Sequence, residues 1–226
     1  DTFEGQFFTE WNRDRHVIPA FKISVTWRRF RSIDVGGKAG ITSCHWYALD
    51  GDGNVFAYRE YYATDRDAEE HAKLIVELSE GEEYSYTVMD RSAFDKIGLP
   101  ETIAEVYSSN GVTNLVPCSK KRVMGWDFVH QYLRYDDQNE PKLKFFENCV
   151  HAIRTIPALV HDDIHPEDVD TDGEDHAADE LRYFTQTLRD QKSQEGAEVK
   201  TMNIVQRRLL ELKQIENQMS TISIYG

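Results

Sequence analysis

A chain of 226 residues that is 40% hydrophobic and 29% charged is long enough for one sizeable domain with a buried core and a short appendage. No stretch approaches the roughly 18 consecutive apolar residues of a membrane-spanning helix and no signal peptide is visible, so neither a membrane partner nor secretion is expected. A formal net charge of −14 argues against a general nucleic-acid binder, whose phosphate contacts need Lys and Arg, although Arg28, Arg29 and Arg31, and then Lys120, Lys121 and Arg122, leave room for a local basic path.

In chain order, residues 27–35 (WRRFRSIDV) read as a strand running into Gly36 and Gly37, and 41–49 (ITSCHWYAL) as a second strand. The Asp-Gly steps of 50–54 (DGDGN) tolerate the positive φ of a tight hairpin, so 55–62 (VFAYREYY) returns as the third strand of an antiparallel meander. Ala68, Ala72, Ile75 and Leu78 recur at helical spacing within 65–81, with Gly81 as the stop. A strand follows over 84–90, a short helix over ETIAEVYSSNG, a strand at 114–118, a helix at 125–135, an extended segment at 142–149 and a partly helical one at 150–160. A helix is expected from Asp175 to about Leu188.

The order implies an α/β fold: a mixed β-sheet, with the three-strand meander joined to parallel strands, flanked by helices. Cys44, Cys118 and Cys149 make neither a disulfide framework nor a zinc pattern, which fits a reducing, intracellular setting. The domain is placed at 1–189. Residues 190–226 are a polar linker (DQKSQEGAEVK) and a helical tail with Met202, Val205, Leu209, Leu212 and Met219 at 3–4 spacing, docked on its own domain, self-associating or received by a partner. The chain begins inside structured-looking sequence, as a piece of a longer protein would.

The candidate chemistry lies in carboxylates. Asp34 ends the first strand and Asp90 the fourth, where an Asp is ordinarily a turn former or helix cap. In this layout the two strands can lie side by side and parallel, bringing both acids together, and a divalent cation relieves the repulsion of two close carboxylates. The stretch EDVDTDGEDHAADELRY (167–183) adds Asp168, Asp170, Asp172, Asp175 and Asp179. Such a run calls for something cationic among the acids: a metal ion, an arginine cluster, or merely water around a solvated loop. On a helix, Asp175 and Asp179 share a face, His176 stands three residues before Asp179, and Arg182 three after it, placed to hold that carboxylate or to contact phosphate. Oxygen ligands without thiolates suit Mg2+ or Mn2+.

Three stretches, RSIDVG (31–36) before a meander ending YREYY (58–62), VMDRSAF (88–94) and EDVDTDGEDHAADELRY (167–183), resemble the C-terminal nuclease domain of the large terminase subunit of tailed bacteriophages, as does the run FENCVHAIRTIPALVHD (146–162). The resemblance covers roughly residues 3–188. It implies a ribonuclease H-like fold and an endonuclease, dependent on two Mg2+ or Mn2+ ions, that cuts concatemeric viral double-stranded DNA during genome packaging in the host cell cytoplasm. It puts the metal-binding, catalytic acids at Asp34, Asp90 and Asp179, with Asp175 and His176 as additional ligands or outer-shell groups. The partners implied are DNA, a packaging ATPase in the N-terminal part of the same polypeptide, the small terminase subunit and the portal. GGKAG (36–40) is not a phosphate loop, so no ATPase is expected from this chain itself. Arg91 departs from the small residue or proline usual after the second acid, and is either a phosphate contact or simply exposed. Lys120, Lys121 and Arg122 are a candidate DNA-backbone contact or a solvated turn.

Two rivals stand beside this reading. Asp168–Asp179 nearly matches an EF-hand-like calcium loop, with acids at positions 1, 3 and 5, glycine at 6 and Asp179 at 12, although Pro166 interrupts any entering helix. A ribonuclease H-like resolvase, transposase or exonuclease would share the fold.

Overall fold

The structure, a computed structural model, describes residues 5–37, 39–96, 98 and 100–193. The expected linker begins at 190, but residues 190–193 are helical; the rest of it and the expected terminal helix lie outside the described residues. Residues 1–187 form one compact unit and 188–226 a second.

In chain order the elements are α1 (Arg13–His16), β1 (Val17–Ile18), β2 (Arg28–Asp34), β3 (Thr42–Leu49), β4 (Val55–Ala63), α2 (Ala68–Leu78), β5 (Tyr86–Met89), a 3-10 turn (Arg91–Phe94), α3 (Ile103–Ser109), β6 (Leu115–Pro117), α4 (Arg122–Leu133), β7 (Leu143–Phe146), α5 (Val150–Thr155) and a second 3-10 turn (Ile156–Ala158). A last helix, α6, spans 176–193 of the described residues.

The seven strands run in the order β1-β7-β4-β3-β2-β5-β6. The meander is antiparallel, with β2 on β3 and β3 on β4; the other pairings, β2 with β5, β5 with β6, β4 with β7 and β7 with β1, are parallel. Asp50 accepts from the Asp52 and Asn54 N–H groups and Gly53 takes φ +82°, which closes the β3–β4 hairpin as the Asp-Gly steps predict.

Central strand β3 is buried at all eight positions. A strand's side chains alternate between faces, and here both faces are covered. Cys44, Trp46 and Ala48 enter one core with Ala72 and Ile75 of α2 and Tyr107 of α3. Tyr47, on the opposite face, stacks on Phe184 of α6 with ring centroids 4.0 Å apart. Both α2 and α3 are started by a capping box, Asp67 with Glu70 and Thr102 with Glu105, which satisfies backbone donors that the first turn would leave unpaired.

Candidate functional site

The parallel β2–β5 ladder pairs Ile33 with Met89. The next residue on each strand is an acid, so Asp34 and Asp90 emerge at neighbouring strand ends. Both Asp34 oxygens are engaged by α6: Oδ2 lies 2.9 Å from His176 Nδ1 and Oδ1 accepts from the Tyr183 hydroxyl at 3.0 Å. Asp90 caps the 3-10 turn, Oδ1 accepting from Ser92 N–H at 2.7 Å, and its Oδ2 is 4.0 Å from the buried Cys118 Sγ. Arg91 donates through Nε and Nη2 to the Cys118 carbonyl, tying the end of β5 to the end of β6.

On α6 the acids meet arginine. Arg122, the first residue of α4, donates from Nε to both oxygens of Asp168 (2.9 and 2.8 Å) and from Nη1 to both oxygens of Asp179 (2.8 and 3.0 Å). Its Nη2 stands 3.9 Å from Asp175. Arg182, only 4% exposed, donates to Asp179 Oδ1 at 3.0 Å. Of its two expected roles, holding that carboxylate and contacting phosphate, its position supports the first. Trp126 gathers the cluster, donating from Nε1 to Asp168 at 2.7 Å with both guanidiniums about its ring, 5.2 and 5.1 Å from the centroid.

The close approach of α4 and α6 depends on Gly125, where a Cβ would meet Arg182 Cγ at 2.6 Å. Gly125→Ala is therefore expected to cost about 1–3 kcal/mol, read as a lower Tm in thermal denaturation; a Tm equal to the parent's would show that the helices part without strain.

Asp34 and Asp175 are both held above their ordinary values. Burial pushes the Asp34 carboxyl up, with Asp179 adding to it, while His176 and Tyr183 pull it back. Burial, with Asp179 and Asp34 adding their charge, pushes Asp175 up to about 6. Its hydrogen bond to Asp34 raises His176. Burial works against the Arg122 charge, but Asp179 and Asp168 outweigh it and hold its pKa above the ordinary value. Burial likewise opposes ionisation of Asp168, which Trp126, the Val169 N–H and Arg122 overcome.

Carboxylates are the right donors for Mg2+ or Mn2+, and the burial and Asp179 charge that raise both Asp34 and Asp175 are what a divalent ion would offset. Among the described residues, however, no three His, Cys, Asp or Glu side chains already converge as a metal-holding group. The Asp179 carboxylate is turned onto Arg122 and Arg182. The donor set is of the kind that fits a metal.

Of the expected site residues, Asp34, His176, Asp175 and Asp179 are gathered around the start of α6, and Asp90 adjoins them at the end of β5. Lys120 and Lys121 are exposed just before α4. Arg122 is not the free partner of these lysines that the sequence suggests, because it is ion-paired three ways. The calcium-loop alternative is not favoured: Asp168 and Asp179, its first and last ligands, close on a guanidinium, and among the described residues no helix leads into the loop. Sequence reasoning assigned no role to Tyr183, although it lies seven residues beyond His176 on the same face of α6.

Sequence reasoning also missed a buried ion network beneath α6. Glu180 Oε1 lies 2.6 Å from His45 Nδ1 and accepts from the Tyr47 hydroxyl at 2.8 Å. His45 Nε2 is 2.9 Å from Glu60 Oε1, and Glu60 accepts the His151 and Ala152 N–H groups in the first turn of α5. Ser32 donates to the Glu180 carbonyl.

No protein-family model matches this sequence, and no curated protein matches it. Solved structures do. The P22 large terminase nuclease domain is similar with TM-score 0.68 at 12% identity, covering 82% of this chain and 93% of that one. The large terminase of a thermophilic bacteriophage, in complex with ADP, is similar with TM-score 0.67 at 18% identity over 81% of this chain. This chain spans 44% of that ADP-bound protein. The large terminase nuclease of the thermophilic phage G20c with bound magnesium gives TM-score 0.57 at 12% identity, covering 81% of this chain and 97% of that one. At these identities the likeness is one of fold: the chain has the ribonuclease H-like fold of large terminase nuclease domains, the family its three acidic stretches resemble.

Proposed function

We propose that the chain is a divalent-metal-dependent endonuclease that cuts concatemeric viral double-stranded DNA during genome packaging. The observation that carries this is the parallel β2–β5 ladder, which sets Asp34 and Asp90 at adjacent strand ends beneath the Asp175 and Asp179 turns of α6. In this reading Asp34, Asp90 and Asp179 are the catalytic, metal-holding acids, with Asp175 and His176 as additional ligands or as groups that orient them. Tyr183 and His176 each engage one oxygen of the Asp34 carboxylate. Two ions of Mg2+ or Mn2+, when bound, stabilise charge on the attacking and leaving oxygens of the scissile phosphate. Bound magnesium in the G20c nuclease supports that choice of ion.

Exposed Lys120 and Lys121 would meet the DNA backbone, which brings affinity without sequence preference. Residues 1–189 form the nuclease domain and 190–226 its linker and tail in this reading. The greater length of the ADP-bound large terminase supports a longer natural polypeptide with a packaging ATPase in its N-terminal part. The small terminase subunit and the portal would be its partners in the host cytoplasm.

The test is conversion of supercoiled plasmid with Mg2+, Mn2+, Ca2+ or EDTA, by this chain and by Asp175→Asn. Nicking in Mg2+ or Mn2+, absent with EDTA and Ca2+ and reduced about 10–100-fold in the variant, is the expected result. Cleavage that persists in EDTA would overturn the metal-dependent mechanism.

A further inference from the structure

Charge at this site is balanced by a side chain with two grips. Arg122 holds Asp168 through Nε and Asp179 through Nη1, while its Nη2 is buried without a hydrogen-bond partner, 3.9 Å from Asp175. The two arginines on Asp179 are not equivalent. Arg182 lies on the same helix, its side chain is 5% exposed, and its stem packs on Gly125, so it has nowhere to go. The Arg122 side chain is 30% exposed at the first turn of α4, beside solvent-facing Lys121 and Val123. It is anchored independently by Asp168, so its Nη1 can leave Asp179 while Nε stays in place.

We infer that Arg122 is the resident counter-cation of this site, and that Arg122 and a divalent metal ion occupy the Asp179 carboxylate alternately. The inference rests on the metal-dependent reading above and deepens it. Mg2+ approaches a carboxylate oxygen to about 2.0–2.1 Å with two charges, against a single charge at 2.8 Å for the guanidinium. It also draws on Asp34, which Arg122 does not serve. The guanidinium keeps the acids together before the metal arrives and must yield when it does. Asp168 thereby acquires a role: it retains Arg122 near the site after release.

Mn2+ titration calorimetry on this chain, on Arg122→Gln and on Asp34→Asn tests the inference, with the Mn2+-induced rise in Tm as a second readout. Removing the competing cation is expected to tighten Mn2+ binding at least about tenfold, ~1.4 kcal/mol, and to enlarge the Tm rise, whereas Asp34→Asn loses binding. Should Arg122→Gln not fold, Arg122→Lys carries the same expectation, since an ammonium cannot bridge Asp168 and Asp179 as the planar fork does. Unchanged or weaker binding in the Arg122 variant, with loss in Asp34→Asn, overturns the competition and leaves the metal site standing. Binding indifferent to Asp34→Asn, or absent from all the proteins, overturns the metal site and the competition with it.

Discussion

Asp34→Asn is expected to lower metal-dependent plasmid cleavage by at least ~10^3-fold with the fold intact. Asparagine has the same shape and keeps a carbonyl oxygen and an amide to meet the Tyr183 hydroxyl and His176 Nδ1, so the local contacts survive in altered polarity. What disappears is the one negative charge that both the end of β2 and the first turns of α6 are built around. The charge stabilisation that a metal ion contributes to a transition state is worth several kcal/mol, and about 4 kcal/mol corresponds to ~10^3 in rate. Single-turnover nicking in Mn2+, beside a circular dichroism melt within a few degrees of the parent, is the measurement. A rate within tenfold of the parent would show that Asp34 serves the fold alone.

The largest stability effect belongs to His45. His45→Leu removes the cation between Glu60 and Glu180, whose side chains are 4% and 0% exposed. Glu180 Oε2 already has no hydrogen-bond partner, so the deletion leaves an uncompensated interior charge, a change that typically costs about 3–5 kcal/mol. Urea denaturation would read it directly, and pairing the substitution with Glu180→Leu should recover part of the loss, because two apolar groups carry no such penalty. A loss below about 1 kcal/mol would mean that water reaches the network.

The same network sets a pH dependence. Burial opposes the His45 charge, but Glu180 and Glu60 outweigh it and push its pKa up to about 10. The folded chain therefore keeps a proton that the unfolded chain releases near 6.5. The stabilisation is complete below about pH 6.5 and is lost as pH climbs through about 10. Burial raises Glu180, so its ionisation adds to the decline with rising pH. Glu60, held below its ordinary value by His45 and two α5 N–H groups against the effect of burial, adds stability that disappears on acidification. Tm should thus fall between pH 6.5 and 10 in the parent and fall less in His45→Gln.

Strands β2 to β7 were legible because their signals are local: Asp-Gly steps, β-branched and aromatic runs, and glycine stops; the two-residue β1 is too short to leave one. The parallel adjacency of β2 and β5 followed from element order, and it is what brings Asp34 and Asp90 together. The partners of Asp179 were not legible. Arg122 lies 57 residues away along the chain, and nothing in KKRVMGW distinguishes a solvated turn from a helix start aimed at three acids. Glu180 was hidden for a related reason. An acid amid DELRY reads as solvent-facing until Phe184, one turn on, is seen stacked on Tyr47, which puts that stripe of α6 against the sheet. The ion pairs that hold a site together join distant segments, whereas sequence patterns report on near ones.

Asp90 has a double occupation with a consequence for coordination number. Its Oδ1 is committed to Ser92 N–H, which keeps the 3-10 turn after β5 closed. In the proposed reading a cation would meet Oδ2 more readily than Oδ1, which shares its lone pairs with the Ser92 N–H, so Asp90 would favour one-oxygen coordination. The two duties also separate by chemistry. An amide at this position could still cap the turn but would bring no charge, while a longer carboxylate would bring the charge but overreach the cap. Aspartate alone among the ordinary side chains is both short enough and charged enough for both.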